Sequence, residues 1–93
     1  MEETLVKGAR LIAENQTQAA IEILKSALQE KSGVPEDRIL YQLGNAYRKE
    51  GNWQEAIQYY LEAMELNPNS PAAEAYRMAM DILNFYNKDM FNQ

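Results

Sequence analysis

Residues 38–68 read RILYQLGNAYRKEGNWQEAIQYYLEAMELNP, and this stretch indicates two helices joined by a tight turn. Its apolar residues return every three or four positions, which is the spacing of one helix face. Gly51 can take the left-handed conformation that ends a helix, and Asn52 with Glu55 predicts a capping box at the start of the next. The predicted helices cover about 36–50 and 53–66.

A similar pattern of residues occurs 36 positions earlier in the chain. Gly8, Leu11, Asn15, Ala20, Ile21, Leu24 and Ala27 recur as Gly44, Tyr47, Gly51, Ala56, Ile57, Tyr60 and Ala63. The earlier copy therefore predicts a second helical hairpin, over about 3–14 and 18–31, with a left-handed residue at Asn15. A loop around Gly33 and Pro35 separates the two copies.

A fifth helix is predicted after the break at Asn67-Pro68-Asn69, with Ser70 as its N-cap and Pro71 as its first residue. We expect its inward face to carry Ala73, Tyr76, Ala79, Met80 and Leu83. Deletion of this helix would uncover the helix before it.

The register of the first helix has two interpretations. Thr4 and Lys7 stand where the later copy has Leu40 and Leu43, so the first helix departs from the pattern. A shift of one residue would bury a different set, namely Leu5, Ala9 and Ile12. The sequence leaves this choice open.

The spacing of Leu40, Leu43, Gly44, Tyr47, Ala56, Tyr60, Ala63 and Pro68 resembles the tetratricopeptide repeat pattern. The resemblance implies an all-α helical solenoid, an α-α superhelix of two helix pairs with a C-terminal capping helix. It implies one domain over 1–93, with repeats at about 1–34 and 35–70 and the cap at about 71–93. It also implies close helix crossings at Gly44, Ala56 and Ala63.

Composition argues against most catalytic and cofactor-binding classes. The chain has no cysteine and no histidine, so thiolate and imidazole chemistry and the usual zinc ligands are absent, and we expect no cofactor and no metal. The carboxylate pairs Glu62 with Glu65 and Glu50 with Glu55 have the spacing of a solvated helix face. We therefore expect a protein that is not an enzyme.

Charge and hydropathy set further expectations. The formal net charge of −5 repels nucleic acid, and the tyrosines that could stack on bases are explained by helix packing, so no nucleic-acid partner is expected. No apolar run is long enough to span a membrane and no cationic leader precedes one, so a cytoplasmic protein without a membrane partner is expected.

The resemblance also places a peptide-binding groove on the first, third and fifth helices. Carried onto this sequence, its positions are Arg38, Tyr41, Gln42, Asn45, Arg48, Lys49 and Arg77. Asn45 matches one position of the carboxylate clamp that some relatives use on chaperone tails, but Tyr41 and Gln42 replace its lysine and second asparagine. With four cations on this wall and apolar residues beside it, the groove is expected to suit a peptide that is acidic at one end and apolar at the other.

The predicted function is a non-catalytic module that binds a protein, peptide or helix in this groove. The alternative is a self-assembling structural element whose groove is filled by its own tail or by a second copy. The expected state is a monomer or a weak homodimer.

Overall fold

The computed structural model describes the backbone of residues 3–30 and 33–91 and the side chains of 3–30 and 33–85. These residues form helices and connecting turns, without a strand among them, so the all-α prediction is confirmed. The helices are α1 Glu3–Ala13, α2 Thr17–Glu30, α3 Glu36–Lys49, α4 Trp53–Leu66 and α5 Ala72–Phe91. The predicted end of the second helix at Lys31 and the predicted loop residue Ser32 lie outside the described part.

The helix ends follow the predicted turn residues, with one correction. Asn15 has a φ of 66° and Gly51 a φ of 83°, which is the left-handed conformation expected at both exits. The Asn52 side chain accepts a hydrogen bond from the Glu55 N–H at 3.3 Å, as a capping box requires. The reciprocal bond is not formed, because the Asn52 N–H donates instead to the Tyr47 carbonyl at 2.9 Å. Asn52 therefore binds the end of α3 through its N–H and caps the start of α4 through its side chain.

The core is centred where α3 packs against α4. Leu43, Ala56, Tyr60 and Ala63 are fully buried there. A Cβ built on Gly44 would lie 2.6 Å from Cδ1 of the Tyr60 ring, well inside van der Waals contact. Only a residue without a side chain allows the two helices to approach this closely, so the predicted close crossing is present at Gly44.

In the structure, α1 buries residues from each of the two predicted registers. Leu5 and Gly8 are buried, Ile12 is half-buried, and Ala9 and Lys7 are exposed. Gly8 faces Leu24 of α2 and Gln42 of α3, so its position in the repeat is kept. Of the three residues that the shifted register would bury, Leu5 is buried, Ile12 is half-buried, and Ala9 is exposed, which corrects that part of the prediction.

Helix α5 packs on α4 with a face of small residues. Ala72 and Ala79 are buried, and Ala75 and Tyr76 are half-buried against the core. Met80 and Leu83 were predicted to face inward but are only half-buried, because alanines already occupy the α4 contact. The Ser70 hydroxyl accepts a hydrogen bond from the Ala72 N–H at 3.1 Å, which confirms it as a cap. α5 starts one residue later than predicted.

Among the described residues, no helix combines the length and apolarity needed to cross a bilayer.

Candidate functional site

A cavity of about 240 Å³ opens between α3 and α5, and we call it the α3/α5 pocket. Its lining is mostly apolar, with polar and charged groups towards α3 and the start of α5. The lining residues are Tyr41, Asn45, Arg48, Trp53, Pro71, Glu74, Ala75, Met78, Ala79 and Ile82. Met78 is 59% exposed, so part of this apolar surface faces solvent.

A second cavity of about 600 Å³ opens between α1, α3 and the α4–α5 turn, and we call it the α1/α3 cavity. Its lining residues are Leu5, Val6, Ala9, Asp37, Arg38, Tyr41, Gln42, Asn67, Asn69 and Pro71. Tyr41 and Pro71 line both cavities. The two cavities therefore adjoin and form one groove, which runs from α1 across α3 to α5.

Five of the seven predicted groove residues line this groove, and two do not. Tyr41 lies between the cavities, Asn45 and Arg48 line the α3/α5 pocket, and Arg38 and Gln42 line the α1/α3 cavity. The other two, Lys49 and Arg77, are exposed and line neither cavity.

The Asn45 amide takes part in packing between helices. The Tyr60 hydroxyl donates a hydrogen bond to Asn45 Oδ1 at 2.6 Å. Burial raises the pKa of Tyr60, and this effect exceeds the opposing influence of the nearby Arg48 guanidinium, which interacts with the same hydroxyl. The polar end of the α3/α5 pocket is thus a network of three side chains, in which Asn45 Oδ1 already accepts a hydrogen bond.

Gln42 joins α3 to α1. Its Nε2 donates a hydrogen bond to the Leu5 carbonyl at 2.9 Å. Its Oε1 is buried without a hydrogen-bond partner and lies beside Gly8, where an added Cβ would be 2.7 Å away. The Gln42 side chain therefore links α3 to α1, which form two walls of the groove, and both the nitrogen and the oxygen of its amide face α1.

The charges that line the groove are balanced. Arg38 shares the α1/α3 cavity with Asp37, whose carboxylate accepts a hydrogen bond from Asn67 Nδ2 at 3.1 Å. Arg48 shares the α3/α5 pocket with Glu74. Of the four cations expected on this wall, two line the cavities, and each of them has a carboxylate in the same cavity.

Sequence reasoning missed six residues of the pocket, namely Trp53, Pro71, Glu74, Ala75, Ala79 and Ile82. Met78 and Ile82 are four positions apart on one helix, and both are exposed by more than a third. This i, i+4 apolar pair was the signal available in the sequence. The described residues hold no group of three or more carboxylates placed to bind a metal ion.

A second aromatic cluster lies outside the groove, between α2, α3 and α4. The rings of Tyr47 and Tyr59 stack with centroids 5.5 Å apart, and Lys25 Nζ lies 5.7 Å from the Tyr47 centroid. The hydrogen bond with Tyr47, followed by the charge interaction with Tyr59, raises the pKa of Lys25. These tyrosines are held by packing and a cation–π contact.

Comparison with known proteins agrees with the helical repeat fold. A family model described as the tetratricopeptide repeat matches residues 38–70, which cover most of α3, all of α4 and the turn that follows. The chain belongs to the tetratricopeptide repeat family. Repeats of this family generally mediate protein–protein interactions.

The chain is also similar to a protein of Bacteroides fragilis whose structure was determined by NMR in solution. The two share 49% sequence identity with a TM-score of 0.85, over 96% of this chain and 89% of the other. Among curated proteins, none matches the chain.

Proposed function

We propose that this tetratricopeptide repeat protein binds a peptide segment or helix of another protein in the groove formed by α1, α3 and α5. The observation that carries the proposal is the junction of two cavities at Tyr41 and Pro71, since it makes a continuous site on one face. Exposed apolar side chains lie at both ends, Val6 at one and Met78 at the other. A ligand that covers them would remove apolar surface from water.

The proposed role is non-catalytic, and it uses the division predicted from the sequence into repeats at about 1–34 and 35–70 and a capping helix at about 71–93. The common forms of nucleophilic catalysis use a thiolate or a hydroxyl activated by histidine, and the chain lacks histidine and cysteine altogether. The polar groups of the groove, such as Asn45 and Gln42, are engaged in packing between helices. They shape the site and orient its walls.

The affinity should be modest. We expect a peptide segment in this groove to bury less than the roughly 800 Å² per partner of a standard interface, and exposed charge pairs contribute about 1 kcal/mol or less. We expect dissociation constants in the micromolar range, about −8 kcal/mol.

The test is a selection of peptides from a random 16-residue library displayed on phage, followed by backbone-amide NMR titration of the chain with synthetic copies of the selected peptides. We expect the largest shift changes on α1, α3 and α5, at residues around Tyr41 and Met78. Changes confined to the outer faces of α2 and α4, or no selected peptide at all, would refute groove binding.

A further inference from the structure

We propose that the α3/α5 pocket binds one large apolar side chain from a basic amphipathic segment of the partner protein. This inference rests on the proposed function, because it names the kind of partner that the same groove takes. It differs from the acidic partner expected from the sequence, and the structure gives three reasons.

The size and lining of the pocket suit a single apolar side chain. Its volume of about 240 Å³ lies below the range of roughly 300–1,000 Å³ that is typical of sites for small-molecule ligands. Trp53, Met78 and Ile82 line it, with the small residues Ala75 and Ala79. One leucine or aromatic side chain would occupy part of such a space and cover these groups.

The shape of the surface beside the pocket suits a helical or extended segment that lies along α5. Met78 is 59% exposed and Ile82 is 37% exposed, and their separation of four residues puts them on one side of the helix. Ala72 and Ala79 bury the adjoining side of α5 against the core. An amphipathic segment binds a groove of this kind through its apolar face.

The charges favour a basic segment. Glu74 lines the pocket, and Asp81 lies seven residues, about two turns, further along the same side of α5. Arg48 lines the opposite wall and interacts with the Tyr60 hydroxyl, while Arg77 lies outside the pocket. Because the whole chain carries −5, its long-range field attracts cations and repels acidic peptides.

The same charges disfavour a second copy of the chain as the occupant. Two α5 helices related by a two-fold axis present the same surface to each other, so Glu74 and Asp81 of one copy would approach the same residues of the other. The two copies would also repel each other as a whole, because each carries a formal net charge of −5. A partner with cations beside its apolar anchor avoids both repulsions.

Trp53 provides a direct readout, since it is the only tryptophan of the chain and it lines the pocket. The probes are four synthetic helical peptides without tryptophan, which carry leucine or alanine at one central anchor position and lysines or glutamates on the flanks. We expect the leucine peptide with lysines to bind most tightly and to change the Trp53 emission. The alanine anchor should weaken binding about tenfold or more, and glutamate flanks about fivefold.

Two protein variants of matched exposure locate the binding site. Met78→Ser removes an apolar residue of the pocket that is 59% exposed, and we expect it to weaken the leucine peptide with lysines about fivefold or more. Leu66→Ser removes a residue that is 57% exposed and lines neither cavity, and we expect no change. Both positions are at the surface, so both variants should fold, which circular dichroism verifies.

Several results would overturn the inference. These are equal binding by the leucine and alanine anchors, tighter binding by the glutamate peptides, binding by none of the four, or no effect of Met78→Ser. A dimer in sedimentation that itself shifts the Trp53 emission would make a second copy the occupant. If library peptides still map to the groove by NMR, only this inference fails. If no peptide maps there, the proposed function fails with it.

Discussion

The carboxylate of Glu50, just after α3, accepts a hydrogen bond from the Thr17 hydroxyl at the start of α2, with 2.7 Å between Oε2 and Oγ1. Gln18 Nε2 donates to the same oxygen at 2.8 Å. These contacts join parts of the chain that are 33 and 32 residues apart. A carboxylate also interacts favourably with the positive end of a helix dipole, so Glu50 stabilises the start of α2 from outside that helix.

We therefore expect Glu50→Ala to lower the free energy of unfolding by about 1 kcal/mol, the usual effect of losing a partly exposed hydrogen bond. The melting temperature should fall by roughly 4–8 °C for a chain of this size. Glu50→Gln keeps an acceptor oxygen and should lose less. Glu22→Ala, at an exposed position within α2, is the control, and an equal loss there would contradict a specific role for Glu50.

Gly44 and Gly8 should respond differently to the same change. Gly44→Ala would push a methyl group into the ring of Tyr60, which is fully buried and hydrogen-bonded to Asn45, so we expect a loss of about 1–3 kcal/mol. Gly8→Ala would meet the end of the Gln42 side chain and Leu24 Cδ2, which can shift more easily. Urea unfolding of both variants measures the difference. Equal losses of unfolding free energy would mean that the Tyr60 ring moves aside as easily as the side chains of Gln42 and Leu24.

Ala79 and Asn84 test the capping role of α5. Ala79 is 1% exposed and faces α4, so Ala79→Glu would bury a carboxylate and should cost several kcal/mol. Asn84→Glu adds the same side chain at an exposed position of the same helix and should leave the melting temperature nearly unchanged. Thermal unfolding by circular dichroism measures both. A stable Ala79→Glu variant would show that the fold does not depend on the α4–α5 contact.

Alkaline pH should destabilise the fold through Tyr60. Burial raises the pKa of its hydroxyl above the ordinary value of about 10, so the folded state favours the neutral form. Below about pH 10 both states are protonated and stability does not change. As pH rises from about 10 through the raised pKa, the unfolded state loses protons first and stability falls.

Urea midpoints measured between about pH 8 and about pH 11 should show this decline, and Tyr60→Phe should make it shallower. A residual decline is expected in that variant, because burial raises the pKa of Tyr59 and the Tyr47 hydrogen bond raises that of Lys25. An unchanged slope in Tyr60→Phe would assign the alkaline transition to other groups.

The sequence by itself determined the helical framework, because the signals for it are local. Left-handed exits at Asn15 and Gly51 and the cap at Ser70 depend on backbone preferences within a few residues. The recurrence of the residue pattern after 36 positions indicated which small residues lie at helix crossings, and the close approach of Gly44 to Tyr60 agrees with it. The family could be recognised for the same reason, since its pattern consists of packing residues.

Only the tertiary structure decided what the groove presents to a partner. The partners of Asn45, Gln42 and Glu50 lie 15 to 37 residues away in the chain, and local spacing carries no information about which of them comes within hydrogen-bond distance. The predicted basic wall depended on four cations of α3 and α5. The packing of α5 on α4 through alanines turns Met78 and Ile82 towards the pocket and leaves Arg77 outside it. Helix periodicity gives the faces of a helix, but contacts between helices determine which face lines the site.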